Sequence, residues 1–139
     1  MQMPRPLPNL AERLRTAGLR LTRPRLALAR LLFDGDDRHV TAEQLFGEAA
    51  ARSIPVSLAT VYNVLHQFTG AGLLREVVIA PGRSYFDTNI HDHHHFFCES
   101  SGELQDIAGE GVAVSGIPLP PAGTEISRVE VIVRVRTSG

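Results

Sequence analysis

Four helix-start signals recur through the first sixty residues: Asn9, Thr22, Thr41 and Ser57. Each side chain can accept a hydrogen bond from the open N–H groups of a first helical turn. An apolar-periodic segment follows each, predicting helices over residues 10–17, 23–33, 42–52 and 58–68. Gly18 stops the first, Pro24 is tolerated in the first turn of the second, and Gly70 and Gly72 close the fourth. Thr41 with Gln44 three residues on is a capping box, and Asp34-Gly-Asp-Asp37 is a turn. Next come LLREVVI and SYFDT, two β-rich runs joined by Ala80-Pro-Gly-Arg83, which read as a hairpin. Three helices, a recognition-type helix and a two-stranded ribbon spell a winged helix-turn-helix.

The pattern changes after Asp87. HHHFFCES and GELQDI read as strands around Ser101-Gly102, and residues 129–135 alternate as a third, with Val131, Val133 and Val135 sharing a buried face. Between them, residues 111–123 are rich in proline and glycine and read as an irregular connection. The chain is thus α+β, a winged helix over 1–88 and a smaller domain with a three-stranded sheet over 89–139. A length of 139 residues suits this division. The single cysteine, Cys98, excludes an internal disulfide and a four-cysteine zinc site, and reads as a small core residue beside Phe96 and Phe97. No stretch approaches a membrane span and MQMPRPLPNL lacks a signal-peptide core, so a cytoplasmic location without a membrane partner is expected.

All fourteen basic residues are arginine. Residues 1–30 hold seven of them against Glu12 alone, whereas residues 91–139 hold three against seven carboxylates. A basic front and an acidic, histidine-rich back suggest two tasks in one chain. On the fourth helix Leu58, Val61, Leu65 and Phe68 form the apolar face. Ala59, Thr60, Asn63 and Gln67 form the outer one, flanked by Tyr62 and His66. That outer face, with Ser57 at its start, carries hydrogen-bonding and small apolar groups without a carboxylate, which suits the edges of bases in a major groove. Arg15, Arg20 and Arg23 would grip phosphates. The competing reading is an amphipathic helix and a solvated basic pair with no partner.

His91-Asp-His-His-His95 is the least ordinary run. On a strand His93 and His95 share a face and His94 points away. Asp87 lies upstream, Asp106 on the next strand, and His39 at the start of the third helix. Three imidazoles with one or two carboxylates suit Fe2+, Mn2+ or Zn2+. The alternative is a solvated histidine-rich hinge. A metallohydrolase lacks a general base in register, and a metal chaperone would not need the winged helix, so an enzyme is not expected.

The segments AGLRLTRPRLALARLL, RHVTAEQLF, VSLATVYNVLHQFTGAGLL, YFDTN, DHHHFF and IPLPPAGTEISRVEVIVRVR together resemble the ferric uptake regulator superfamily, and within it the iron response regulators. The resemblance implies a homodimeric repressor or activator of iron and haem genes, binding a palindromic operator in double-stranded DNA through its winged helix. The second domain would then serve dimerisation and sensing. It implies an inter-domain metal site at His39, Asp87, His93, His95 and Asp106, and haem binding through His93, His94 and His95. Peroxide sensors of the same superfamily share that metal site and are the alternative function. The chain also departs from the pattern. The CxxC pairs are missing, with Cys98 alone and Ser101 at the next expected position, so dimerisation must rest on packing. A further family metal site retains only Asp92 and His94, and no N-terminal Cys-Pro haem motif is present. Asn63 stands where ferric uptake regulators proper carry arginine, so the operator should differ from theirs.

Overall fold

The computed structural model describes residues 9–108 and 110–138. The N-terminal stretch read above for a leader, with Arg5 of the basic set, lies outside them. The chain divides into two compact units at Ile90 and His91.

In the first unit the caps form where the sequence places them. The Asn9, Thr22, Thr41 and Ser57 side chains accept from the N–H groups of Glu12, Arg25, Gln44 and Thr60. They open helices α1 (Leu10–Thr16), α2 (Arg23–Phe33), α3 (Ala42–Ala51) and α4 (Leu58–Gly70). The helices α1 and α4 end alike. Gly18 and Gly72 take φ of 84° and 80°, and the next residue's N–H turns back to the carbonyl of Leu14 or Phe68. Only glycine reaches that backbone region without steric cost, so these two positions set where the helices stop. The apolar stripes meet in one core, in which Leu28, Leu32, Leu45, Leu65 and Phe68 are fully buried. On α4 the buried residues are Val61, Val64, Leu65 and Phe68, with Leu58 half-buried.

The expected two-stranded ribbon is a three-stranded sheet. Strand β1 (His39–Val40) joins β2 (Arg75–Ala80) and β3 (Arg83–Asp87) in the order β1-β3-β2, all antiparallel. His39 therefore sits on a strand and not at the start of α3. The side chain of Val40, 1% exposed, drives this, because pairing with Phe86 brings it into the helical core.

Arg38, just before β1, clasps the layer together. Its guanidinium donates to both carboxylate oxygens of Glu48 on α3 and to the Leu31 carbonyl on α2. Hydrogen bonding from Arg38 holds the Glu48 carboxyl below its usual range despite partial burial. A carboxyl with a lowered native pKa stabilises the fold above its unfolded pKa, and the contribution fades as pH falls through the native value. Glu48→Gln should therefore cost about 1 kcal/mol at pH 7 and progressively less below about pH 4, as measured by urea unfolding at several pH values. A cost independent of pH would refute the ion-pair assignment.

The second unit contains β4 (His94–Cys98), β5 (Leu104–Ile107) and β6 (Ile132–Val135), ordered β5-β4-β6. Strand β4 runs antiparallel to β5 and parallel to β6. A parallel partner requires a long crossover, and the connection between β5 and β6, which includes the expected irregular stretch, supplies it. All four described helices belong to the first unit. The third strand is shorter than the 129–135 expected. Val131 and Val133 are half-buried and Val135 is exposed, so no fully buried valine face forms. Within the described residues β6 is an edge strand, paired only with β4. Cys98 is half-buried, not a core residue: it ends β4, where hydrogen bonding from Ser101 pulls its thiol below the usual range.

Candidate metal centre and nucleic-acid interface

The second unit buries few apolar side chains, yet it buries a histidine completely. His95 is 0% exposed on the central strand β4, opposite Asp106 of β5. His93, two residues earlier, approaches from the same side, as strand alternation predicts, and the two rings lie 4.4 Å apart. The Nε2 atoms of His93 and His95 each lie 3.3 Å from the same Asp106 carboxylate oxygen. All three donor atoms fall within 4.8 Å of one another.

One hydrogen bond fixes the chemistry of this cluster. Nδ1 of His93 lies 2.6 Å from the His91 carbonyl, which can only accept, so Nδ1 carries the proton. In a neutral imidazole Nε2 is then an acceptor, and it faces a carboxylate oxygen that is also an acceptor. Two acceptors at 3.3 Å require a cation between them, either a proton or a metal ion. Ligands about 2.1 Å from a divalent ion lie roughly 3–3.4 Å from each other, which matches this spacing. A carbonyl-oriented imidazole, a second buried imidazole and a carboxylate form a donor set for Fe2+, Mn2+ or Zn2+.

His94 points elsewhere. Its Nδ1 accepts the Val131 N–H at 2.9 Å, tying the approach to β6 onto β4. The hollow beside it, about 370 Å³, is lined by Asp92, Glu110 and Val129 among others. Haem, which the resemblance implies, does not fit these residues as they stand. His94 would have to surrender its bond to Val131, and two carboxylates face a porphyrin that brings propionates of its own.

The other two candidate ligands lie in the first unit, side by side. His39 and Asp87 are direct partners in the β1–β3 ladder, and Asp87 is 1% exposed. Its carboxylate accepts the Asn89 N–H at 2.9 Å.

Of the candidate DNA-reading residues, Ser57 caps α4 and Ala59, Thr60, Tyr62, Asn63 and Gln67 lie on it, whereas Arg15 is on α1, Arg20 between α1 and α2, and Arg23 on α2. Arg15, Arg20, Arg23, Ser57, Ala59, Asn63 and Gln67 are exposed, while Thr60 and Tyr62 are half-buried. Ser57 and Thr60 are occupied with each other, the Ser57 hydroxyl donating to Thr60 Oγ1 at 2.9 Å. The structure adds residues that helical periodicity did not reveal. Arg25 donates from Nε to Gln67 and from a terminal nitrogen to the Arg20 carbonyl, which fixes α2 against the far end of the reading face. Glu43 of α3 accepts from the Tyr62 hydroxyl at 2.7 Å, so the face carries a carboxylate after all. Both pairs are remote in sequence, and no local pattern signals them.

Among known proteins, the ferric uptake regulator family profile matches residues 16–117. The transcriptional regulator FurA of Mycobacterium tuberculosis is 37% identical over 102 residues, covering 73% of this chain and 68% of that protein. The peroxide-responsive repressor PerR of Staphylococcus epidermidis is 36% identical over 93 residues, covering 67% of this chain and 61% of that one. The structure of the Pseudomonas aeruginosa ferric uptake regulator with manganese superposes with a TM-score of 0.67 at 27% identity, covering 92% of this chain and 97% of its own. On the extent of the profile match and these identities, the chain belongs to the ferric uptake regulator family.

Proposed function

We propose that the chain is a metal-responsive transcription regulator of the iron response type, acting in the cytoplasm as a homodimer on a palindromic operator. The observation that carries the metal response is the pair of acceptors, His93 Nε2 and the Asp106 carboxylate, held 3.3 Å apart beside a buried His95. We assign the ion to His93, His95 and Asp106, with His39 and Asp87 completing the set. The manganese in the Pseudomonas relative supports a divalent ion. Such an ion supplies charge neutralisation and fixed ligand directions. The residues supply the coupling: two candidate ligands belong to the helical unit and three to the second, so ligation favours one arrangement of the units over others. In a dimer that choice sets the spacing of two recognition helices, which is a population shift with a physical cause.

The deciding experiment titrates promoter DNA with the apo, Fe2+, Mn2+ and haem-treated protein. The metal forms should bind more tightly than the apo form, and equal affinity in every form would refute the response. On the DNA side, Asn63→Ala should weaken specific binding by about 1–3 kcal/mol and spare non-specific binding. Arg20→Ala and Arg23→Ala should weaken both and lower the salt slope by about one each. Full operator affinity in Asn63→Ala would remove α4 from the reading role.

The likeness to PerR favours a second reading, peroxide sensing at the same residues. Peroxide treatment of the iron-loaded protein would then add one oxygen to a ligand histidine, visible by mass spectrometry. An unchanged mass with a retained iron response supports the first reading.

A further inference from the structure

We infer that Glu43 is the positioning residue of the recognition helix, holding Tyr62 in the one orientation that reads DNA; the inference rests on α4 being the reader.

Tyr62 is held at two points, the second of them braced from below. Its hydroxyl donates to Glu43 Oε1 of α3 at 2.7 Å. Its ring stacks on His66, one turn further along α4, at 6.4 Å and 19° between planes. His66 in turn meets the edge of Phe86 at 5.5 Å and 79°. Phe86 is 1% exposed on β3, directly before the candidate ligand Asp87. The chain of contacts thus runs from the ligand-bearing strand to the reading face without leaving the first unit.

The surroundings explain why Glu43 is decisive. A hollow of about 560 Å³ lies among Glu43, Tyr62, His66, Glu76, Arg83 and Phe86. A tyrosine beside open space has other rotamers available, and ordering it on DNA binding would cost side-chain entropy. The bond to Glu43 removes that freedom in advance. It also commits the hydroxyl proton, because a carboxylate only accepts. The outward surface of Tyr62 is then a ring edge and an oxygen lone pair, suited to a thymine methyl or a base amino group and unable to donate to a phosphate. The same bond lowers the Glu43 carboxyl and raises the Tyr62 hydroxyl from their usual ranges. A carboxylate on a DNA-facing surface is otherwise unfavourable, since it repels phosphates. Here that repulsion weighs against non-specific contacts, in which Tyr62 gains nothing.

The test compares specific and non-specific DNA affinity in the full-length metal-loaded protein. Glu43→Ala should lower specific affinity about tenfold while leaving non-specific affinity unchanged or higher. Tyr62→Phe should give a similar specific loss, and the double variant Glu43→Ala/Tyr62→Phe no more than either alone. Glu43→Gln, which keeps an acceptor oxygen, should recover most of the specific affinity. Ultraviolet titration should show one of the two tyrosines ionising at lower pH in Glu43→Ala than in the unaltered protein. Additive losses in the double variant, or a Glu43→Ala protein with unchanged specificity, would overturn the inference. Asn63→Ala, assayed alongside, separates the failures: a silent Asn63→Ala removes the reader itself, whereas a damaging Asn63→Ala with a silent Glu43→Ala removes only the positioning role.

Discussion

Replacing His93 and His95 together by alanine is expected to lower divalent metal affinity by more than about 100-fold and to abolish metal-dependent operator binding. Loss of an outer partner of a metal ligand alone costs 10–100-fold, and this change removes two direct donors. Of the proposed set, Asp106, Asp87 and His39 would remain, and one imidazole with two carboxylates holds a first-row ion far more weakly than three imidazoles do. The contrast is His94→Ala. It should spare metal affinity and loosen β6, because His94 binds the Val131 N–H and not the cluster. The intact site should also bind metal more weakly at pH 5.5 than at pH 7, since ligation and protonation compete for the same imidazole lone pairs. Mn2+ titration by calorimetry at pH 7 and pH 5.5 checks all three expectations. Unaltered stoichiometry and affinity in the double variant would sink the assignment.

The helical layer was legible because its determinants are local. A cap marks each start, a glycine marks the ends of α1 and α4, and a 3.6-residue apolar stripe marks each interior, so the four helices and the hairpin were placed to within a residue or two. The meeting of His93 and His95 was legible for a similar reason: strand alternation alone puts them on one side and His94 on the other. What escaped is what depends on sequence-distant partners. His39 and Val40 are too short a run to announce a strand, and only Phe86 and Asp87 on β3 make them one. The valines near β6 alternate as a buried strand does, but burial needs a second layer. Among the described residues nothing pairs with the free edge of β6. Glu43 reads locally as a favourable acid in the first turn of α3. Its meeting with Tyr62, nineteen residues on, is a property of how α3 crosses α4.

Phe68→Ala is expected to be the most destabilising single change in the winged-helix unit. The ring is 0% exposed at the end of α4 and lies 6.1 Å from Phe33 of α2, which Arg13 of α1 covers on its own face. Its removal therefore leaves a cavity between α4 and α2, beneath a ring that α1 helps to cover. Truncating a buried phenylalanine costs about 3–5 kcal/mol, of the same order as the whole stability of a small domain. Each kcal/mol lowers the melting temperature of such a domain by about 4–8 °C, so a fall of more than about 12 °C is expected by circular dichroism at 222 nm. DNA binding should fail with it, because α4 holds its reading face outward only while its inner face is packed. Metal binding supplies the discriminating observation. His93, His95 and Asp106 occupy the second unit, so this variant should still bind Mn2+, more weakly for want of His39 and Asp87 from the first, while it no longer recognises DNA. Complete loss of both would show that the second unit holds no metal without the first, whether through His39 and Asp87 or through its folding.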